Sequence, residues 1–223
     1  MNWNEPLIFP IMGEDLTHEN SLKMDFSPAN EELKKVDLSS TEAFNRFVFG
    51  QLKSENKKFG LGGYLEKRAI YQRSDMFATK QEDFRNIHLG VDIWVEAGAE
   101  VFVPLDGEVV GVQDNKGFAD YGPTIILKHD WEGKTLFSLY GHLSREDLKF
   151  LEVGQRVISG ELLCHVGPYP ENGDWPPHLH FQLMRDMEKN SGDYPGVCSE
   201  REKEHFSKNC PDPNLFLNSK VLD

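Results

Sequence analysis

His178-Leu179-His180-Phe181-Gln182-Leu183 and His88-Leu89-Gly90-Val91-Asp92-Ile93-Trp94-Val95 are the two stretches on which the fold turns. Side chains on a β-strand point to opposite faces with a period of two. In the first stretch His178, His180 and Gln182 therefore share one face, and Leu179, Phe181 and Leu183 fill the other. Read as one strand, the second stretch puts His88 and Asp92 together, opposite Leu89, Val91, Ile93 and Val95. Each predicts a half-buried strand that offers polar donors from one side and packs with the other.

Imidazole and carboxylate supply nitrogen and oxygen donors that suit Zn²⁺, and three protein ligands leave a fourth tetrahedral position open for catalysis. Zinc held in that way lowers the pKa of its water from about 16 to roughly 7 and polarises a scissile carbonyl, so amide hydrolysis is the natural use. The same donors also suit Fe²⁺, Mn²⁺ and Ni²⁺. Spacing alone leaves open whether both histidines of the H-x-H pair reach the ion. Taken singly, each motif also has a bland reading. His and Asp on an exposed strand face meet solvent, and His142 of Tyr140-Gly141-His142 alone reads as a hydrogen-bonded turn residue. His18, His129, His165 and His205 are given no role.

The set H-x-x-x-D at 88–92, then Tyr140-Gly141-His142-Leu143-Ser144, then Pro177-His178-Leu179-His180-Phe181 resembles the lysostaphin-like, LytM-type zinc metalloendopeptidases that cut peptidoglycan peptides. The resemblance covers about residues 85–185. It implies an all-β fold of antiparallel sheet, of the lysostaphin-like barrel-sandwich kind, with one zinc per chain. It also implies His88, Asp92 and His180 as metal ligands and His178 with His142 as the catalytic pair. In that scheme His178 is the general base that activates water, while His142 stabilises the oxyanion or shuttles protons. A neutral imidazole can do the first job near pH 7.

Segments 103–109 and 153–163 look like the family's strand-turn-strand units, with Gly107, Gly154 and Gly160 where turns need positive φ or close backbone approach. Similar turns occur in biotinyl and lipoyl carrier domains, but those need a modifiable Lys at the hairpin tip, and Asp106-Gly107 has none. A non-catalytic module that activates a partner is a further alternative. Such modules commonly lack ligands, whereas every donor is present here.

At 223 residues, 39% apolar and 27% charged, the chain can bury one sizeable core. The expected organisation is an accessory segment at 1–60, the peptidase-like domain at 61–190 and a turn-rich tail at 191–223. In the first of these, Ser39-Ser40-Thr41-Glu42 has capping-box spacing, and Ala43, Phe44, Phe47, Val48 and Leu52 recur at helical intervals. One amphipathic helix over about 41–54, packed on the sheet, is therefore predicted.

Between helix and site, Gly60 to Arg73 reads first as an edge strand with a solvated charged face. The rival reading is a substrate rim in which Arg73 or Arg85 grips a carboxylate through paired N–H donors. Arg85 is preferred because it lies three residues before His88, and Tyr140 is a second substrate-binding candidate.

Net charge is −13, from 24 basic and 37 acidic residues, which disfavours nucleic acid and anionic wall polymers as partners. A peptide or amide remains as substrate. Neither a basic, apolar leader nor a membrane-length run is visible, so a cytoplasmic setting is expected. Cys164, Cys198 and Cys210 form no C-x-x-C pattern, and reduced thiols are expected. The Gly62-Gly63-Tyr64-Leu65-Glu66-Lys67-Arg68 stretch and the tail resemble a subgroup also found fused to phosphotransferase and class III aminotransferase domains. That resemblance implies an alternative substrate, a small amino-acid conjugate.

Overall fold

The structure is a computed structural model, and residues 7–73, 77 and 84–223 are described. Its strands are β1 (Ser21–Met24), β2 (Phe59–Gly62), β3 (Ile87–His88), β4 (Val91–Trp94), β5 (Glu100–Phe102), β6 (Gly107–Asn115), β7 (Gly122–Trp131), β8 (Lys134–Gly141), β9 (Arg156–Val157), β10 (Leu162–His165), β11 (His178–Met184) and β12 (Val197–Cys198). Among the described residues three α-helices accompany them, α1 (Thr41–Ser54), α2 (Lys203–Asn209) and α3 (Asn214–Leu217). The main sheet runs β1-β2-β4-β11-β8-β7-β6-β9, and β10-β5 and β12-β3 form two small ladders. Pairing is antiparallel throughout except between β1 and β2, which run parallel. The expectation of an all-β, antiparallel sheet holds.

The H-x-H strand behaves as its alternation predicts. Leu179, Phe181 and Leu183 of β11 join Val91 and Ile93 of β4 in the main apolar core. Asp92 stands directly opposite His180, and Trp94 opposite His178. The H-x-x-x-D stretch departs from a single strand. It bends at Leu89-Gly90, so β3 pairs with β12 while β4 enters the main sheet. Leu89 consequently packs with Ile87 in a separate cluster rather than with Val91 and Ile93. The bend still brings His88 and Asp92 to the same place.

Helix α1 has the predicted bounds. Its N-cap is Ser40, whose Oγ accepts from the Ala43 N–H at 3.2 Å, one residue later than the Ser39–Glu42 box. Phe44, Val48 and Leu52 form its buried stripe. Phe44 reaches Trp94 and Trp175, with ring centroids 5.5 and 6.5 Å away, so the helix covers the sheet behind the histidines.

Two expectations for the N-terminal part need correction. Segment 1–60, expected to carry one helix, also contains strand β1. Strand β2 is interior, flanked by β1 and β4, and all four of its residues are buried, so it is not a solvated edge. The three cysteines are free and buried. Among the described residues, no helix is long and apolar enough to cross a membrane.

Candidate active site

His88, Asp92 and His180 form the one cluster among the described residues whose donor atoms could hold a metal ion, and all three are buried. His88 Nε2 lies 3.0 Å from His180 Nδ1 and 3.2 Å from Asp92 Oδ1, and His180 Nδ1 lies 3.0 Å from that same oxygen. Tautomers follow from the opposite sides of the rings. A carbonyl only accepts, so His88 Nδ1 donates to Gly63 O at 3.1 Å and leaves Nε2 bare. The Gln182 amide is oriented because its Nε2 donates to Pro195 O at 3.1 Å. Its Oε1 then faces His180 Nε2 at 3.0 Å and accepts from it, leaving His180 Nδ1 bare.

Three lone-pair donors thus converge with no proton among them. Donors about 2.0–2.1 Å from a tetrahedral zinc lie roughly 3.3 Å from one another, so this triangle fits such an ion. Imidazole N–H groups bound to backbone and amide oxygens are also the outer support that metal-binding histidines use.

His178 and His142 stand beside the triangle. His178 Nδ1 donates to Pro176 O at 2.8 Å, which leaves Nε2 bare and 3.9 Å from Asp92 Oδ1. His142 Nδ1 donates to Asn172 O at 2.8 Å, and the two rings lie 4.2 Å apart. His142 has φ of 63°, a left-handed conformation uncommon for a non-glycine residue. Its N–H is held by Tyr121 O at 2.8 Å, and its carbonyl accepts from Gly167 at 2.9 Å. Backbone in such regions persists where surrounding structure enforces it, and clusters at functional sites.

Burial favours the neutral form of His88, His178 and His142. It lowers His88 to about 3, with the Arg68 charge adding to the effect, and lowers His178 to about 4. His142 falls well below the ordinary histidine value through burial and the adjacent His178. For Asp92, burial opposes ionisation, but His88 and Arg68 outweigh it and hold the carboxyl well below the usual range.

A cavity of about 340 Å³ opens over Asp92, His142, His178 and His180. Arg85 lines it, as the sequence suggested, together with Asp120 and Asp193. Burial and the neighbouring Asp193 push the Asp120 carboxyl up. The Arg73 side chain lies outside what the structure describes. Tyr140 requires correction. It is fully buried in the main core, its ring 5.4 Å from Phe181 and its OH accepting from Ser138 Oγ at 3.0 Å. Strand alternation on β8 points it at the packing face, away from the site.

Sequence reasoning missed several site residues. Trp94 stacks on His178, centroids 4.0 Å apart and planes at 23°. Tyr121 packs against His142 and His180 at 5.7 and 5.1 Å. Arg68, read as a solvated charge, is fully buried and ion-paired with Asp92. The available signal for Trp94 was its place two residues after Asp92, on the same strand face.

Converging donors that could hold a metal ion, with two further buried histidines beside them, thus sit on an antiparallel scaffold. Residues 86–192 match the family model described as Peptidase family M23. The L-Ala--D-Glu endopeptidase of Bacillus subtilis is 30% identical over 107 residues, which cover 46% of this chain and 31% of that protein. The chain therefore spans about a third of that relative's length. Among solved structures, a zinc-containing peptidase from Vibrio cholerae is 26% identical over 44% of this chain and 27% of its own, with a TM-score of 0.34. The catalytic domain of lysostaphin from Staphylococcus simulans is 22% identical over 60% of this chain and 81% of its own, with a TM-score of 0.39.

Proposed function

We propose that this chain is a zinc-dependent amide hydrolase that cleaves a peptide bond of the peptidoglycan type. His88, Asp92 and His180 hold the ion, with His178 and His142 as the catalytic pair. The observation that carries the reading is the convergence of His88 Nε2, His180 Nδ1 and Asp92 Oδ1 within 3.2 Å, with both nitrogens deprotonated by their own hydrogen bonds. Lone pairs brought so close repel one another unless a cation lies between them.

When bound, zinc supplies Lewis acidity toward the scissile carbonyl and the attacking water. The protein's own groups manage protons. His178 Nε2, bare at neutral pH and fixed by Pro176 O and the Trp94 stack, is placed to accept a proton from the attacking water. His142, beside it, is placed to donate toward the developing oxyanion or to pass the proton to the leaving amine. Arg85 in the cavity wall offers a guanidinium to a substrate carboxylate. The L-Ala--D-Glu endopeptidase relative supports a peptide as substrate.

A second reading, hydrolysis of a small amino-acid conjugate, is favoured by the cavity's walls. Ile70, Tyr71 and Phe77 precede the matched segment and Pro195, Gly196 and Val197 follow it, so this chain encloses the site with residues of its own. At about 340 Å³ the cavity sits near the small end of the roughly 300–1,000 Å³ typical of small-molecule sites.

The test is metal analysis of protein purified without added metal, beside His178→Ala and His180→Ala. About one zinc per chain is expected in wild type and His178→Ala, and none in His180→Ala, with turnover lost in both variants. Zinc retained by His180→Ala overturns the ligand set. Assay on peptidoglycan peptides against short amides then separates the two substrate readings.

A further inference from the structure

The two oxygens of Asp92 do different things. Oδ1 faces the bare nitrogens of His88 and His180 at 3.2 and 3.0 Å, while Oδ2 is taken by Arg68 Nη1. Arg68 has little freedom to leave. It is fully buried, its Nε donates to Glu66 Oε2 at 2.8 Å, and its guanidinium lies 5.4 Å from the centre of the Phe26 ring. Glu66 is itself pinned, because its Oε1 accepts from the Phe26 N–H at 2.9 Å. On the remaining side Nη2 abuts Gly62, where any Cβ would collide with it. Gly62 is in turn the β2 residue paired with Asp92 across the sheet.

We infer that Arg68 is a positioning residue for Asp92, holding Oδ2 so that the carboxylate offers the metal a single oxygen. The inference rests on the metal-site reading above. A carboxylate can bind an ion through one or both oxygens, and a two-oxygen grip takes up coordination space that the substrate carbonyl and water need. Arginine suits the task because its planar fork satisfies Glu66 and Asp92 at once, whereas lysine is a point charge without a fixed plane. The device comes from outside the matched family segment. Arg68 follows β2 and precedes residue 86, so the strand that joins the sheet from the N-terminal side also sets the donor mode of a ligand.

Arg68→Lys keeps the charge and removes the fork. Its zinc affinity, measured by competition with a chromophoric chelator, is expected to fall by about 10–100-fold, the usual cost of losing an outer-sphere partner. The cobalt-substituted protein adds a readout that a merely structural role does not move. Four-coordinate cobalt absorbs visible light more strongly than five- or six-coordinate cobalt, so the variant's bands should weaken and shift while its far-ultraviolet circular dichroism stays native. Should Arg68→Lys not fold, Glu66→Gln loosens the same anchor and is expected to move the spectrum in the same direction. A folded variant with wild-type zinc affinity and cobalt spectrum overturns the inference alone. Wild-type protein that takes up neither zinc nor cobalt overturns the metal reading and this inference with it.

Discussion

The imidazole of His178 stacks on the indole of Trp94, with centroids 4.0 Å apart and planes at 23°. Both residues lie on the inner strands of the sheet, directly opposite each other in register, so the stack is set by backbone pairing as well as by ring contact. Helix α1 closes the stack from behind through Phe44, 5.5 Å from Trp94. The indole fixes the plane of the proposed base, whose other anchor is Pro176 O. Trp94→Leu should therefore lower kcat by at least about tenfold, equivalent to ~1.4 kcal/mol of barrier, with metal content unchanged. Metal loss in this variant would show that the indole supports the ligand cluster rather than the base.

Removing metal should make the fold acid-sensitive. In the metal-free protein His88 and His178 are lowered to about 3 and about 4 by burial, and His142 moves the same way. The unfolded chain takes up these protons near pH 6.5, before the folded form does, so the unfolded state binds more protons in the window between. Stability is then full above about pH 6.5 and falls as pH drops toward 4, each group contributing up to about 1.4 kcal/mol per pH unit. Urea unfolding in chelator from pH 8 to pH 4 reads this directly. A midpoint that stays flat across that range rules the assignment out. Adding zinc should shift the whole curve upward at neutral pH, because only the folded state offers the assembled donors.

How much of this was legible in the sequence depended on whether the deciding partner was local. Helix α1 was readable because its cap and its apolar stripe of Phe44, Val48 and Leu52 lie within fourteen residues of one another. The strand carrying His178 and His180 was readable because alternation needs no knowledge of the rest of the chain. Arg68 was misread for the complementary reason. Charged residues default to solvent, and its partner Asp92 lies 24 residues away, brought near only when β2 pairs with β4. Tyr140 was misplaced because β8 ends at Gly141 and the left-handed φ of 63° at His142 turns the chain, so two residues that alternation would put on one face point in different directions. The break at Leu89-Gly90 was hidden because β3 leaves the sheet to meet β12, a partner more than a hundred residues later.

Gly90 and Gly50 offer a matched pair of substitutions. A Cβ at Gly90 would lie 2.7 Å from both His180 Cε1 and Phe181 O, so the bend between β3 and β4 has no room for a side chain. Gly90→Ala should displace His180 and weaken zinc binding by about tenfold or more, by analogy with other losses of ligand positioning. At Gly50, on the exposed face of α1, a Cβ would meet nothing within 4 Å. Gly50→Ala should stabilise the protein by about 0.5–1 kcal/mol and leave zinc affinity untouched. Thermal melts and chelator competition on both variants check the contrast, and equal zinc affinity in the two would remove Gly90 from the account of the site.

Arg85 gives the most direct handle on substrate. It is half-buried, lines the same cavity as His178 and His180, and lies close enough to Asp120 to oppose the upward push on that carboxyl. A substrate carboxylate bound there would gain a charge-assisted contact worth about 1.5–3 kcal/mol. That contact is made before and during bond cleavage alike, so its loss should appear in KM and leave kcat nearly unchanged. Arg85→Met is thus expected to raise KM by about 10–100-fold for peptides or conjugates with a free terminal carboxylate. The same amides with that carboxylate capped should be turned over equally by wild type and variant. If the capped and uncapped series respond alike, Arg85 serves the cavity wall and not the substrate, and the carboxylate must be read elsewhere.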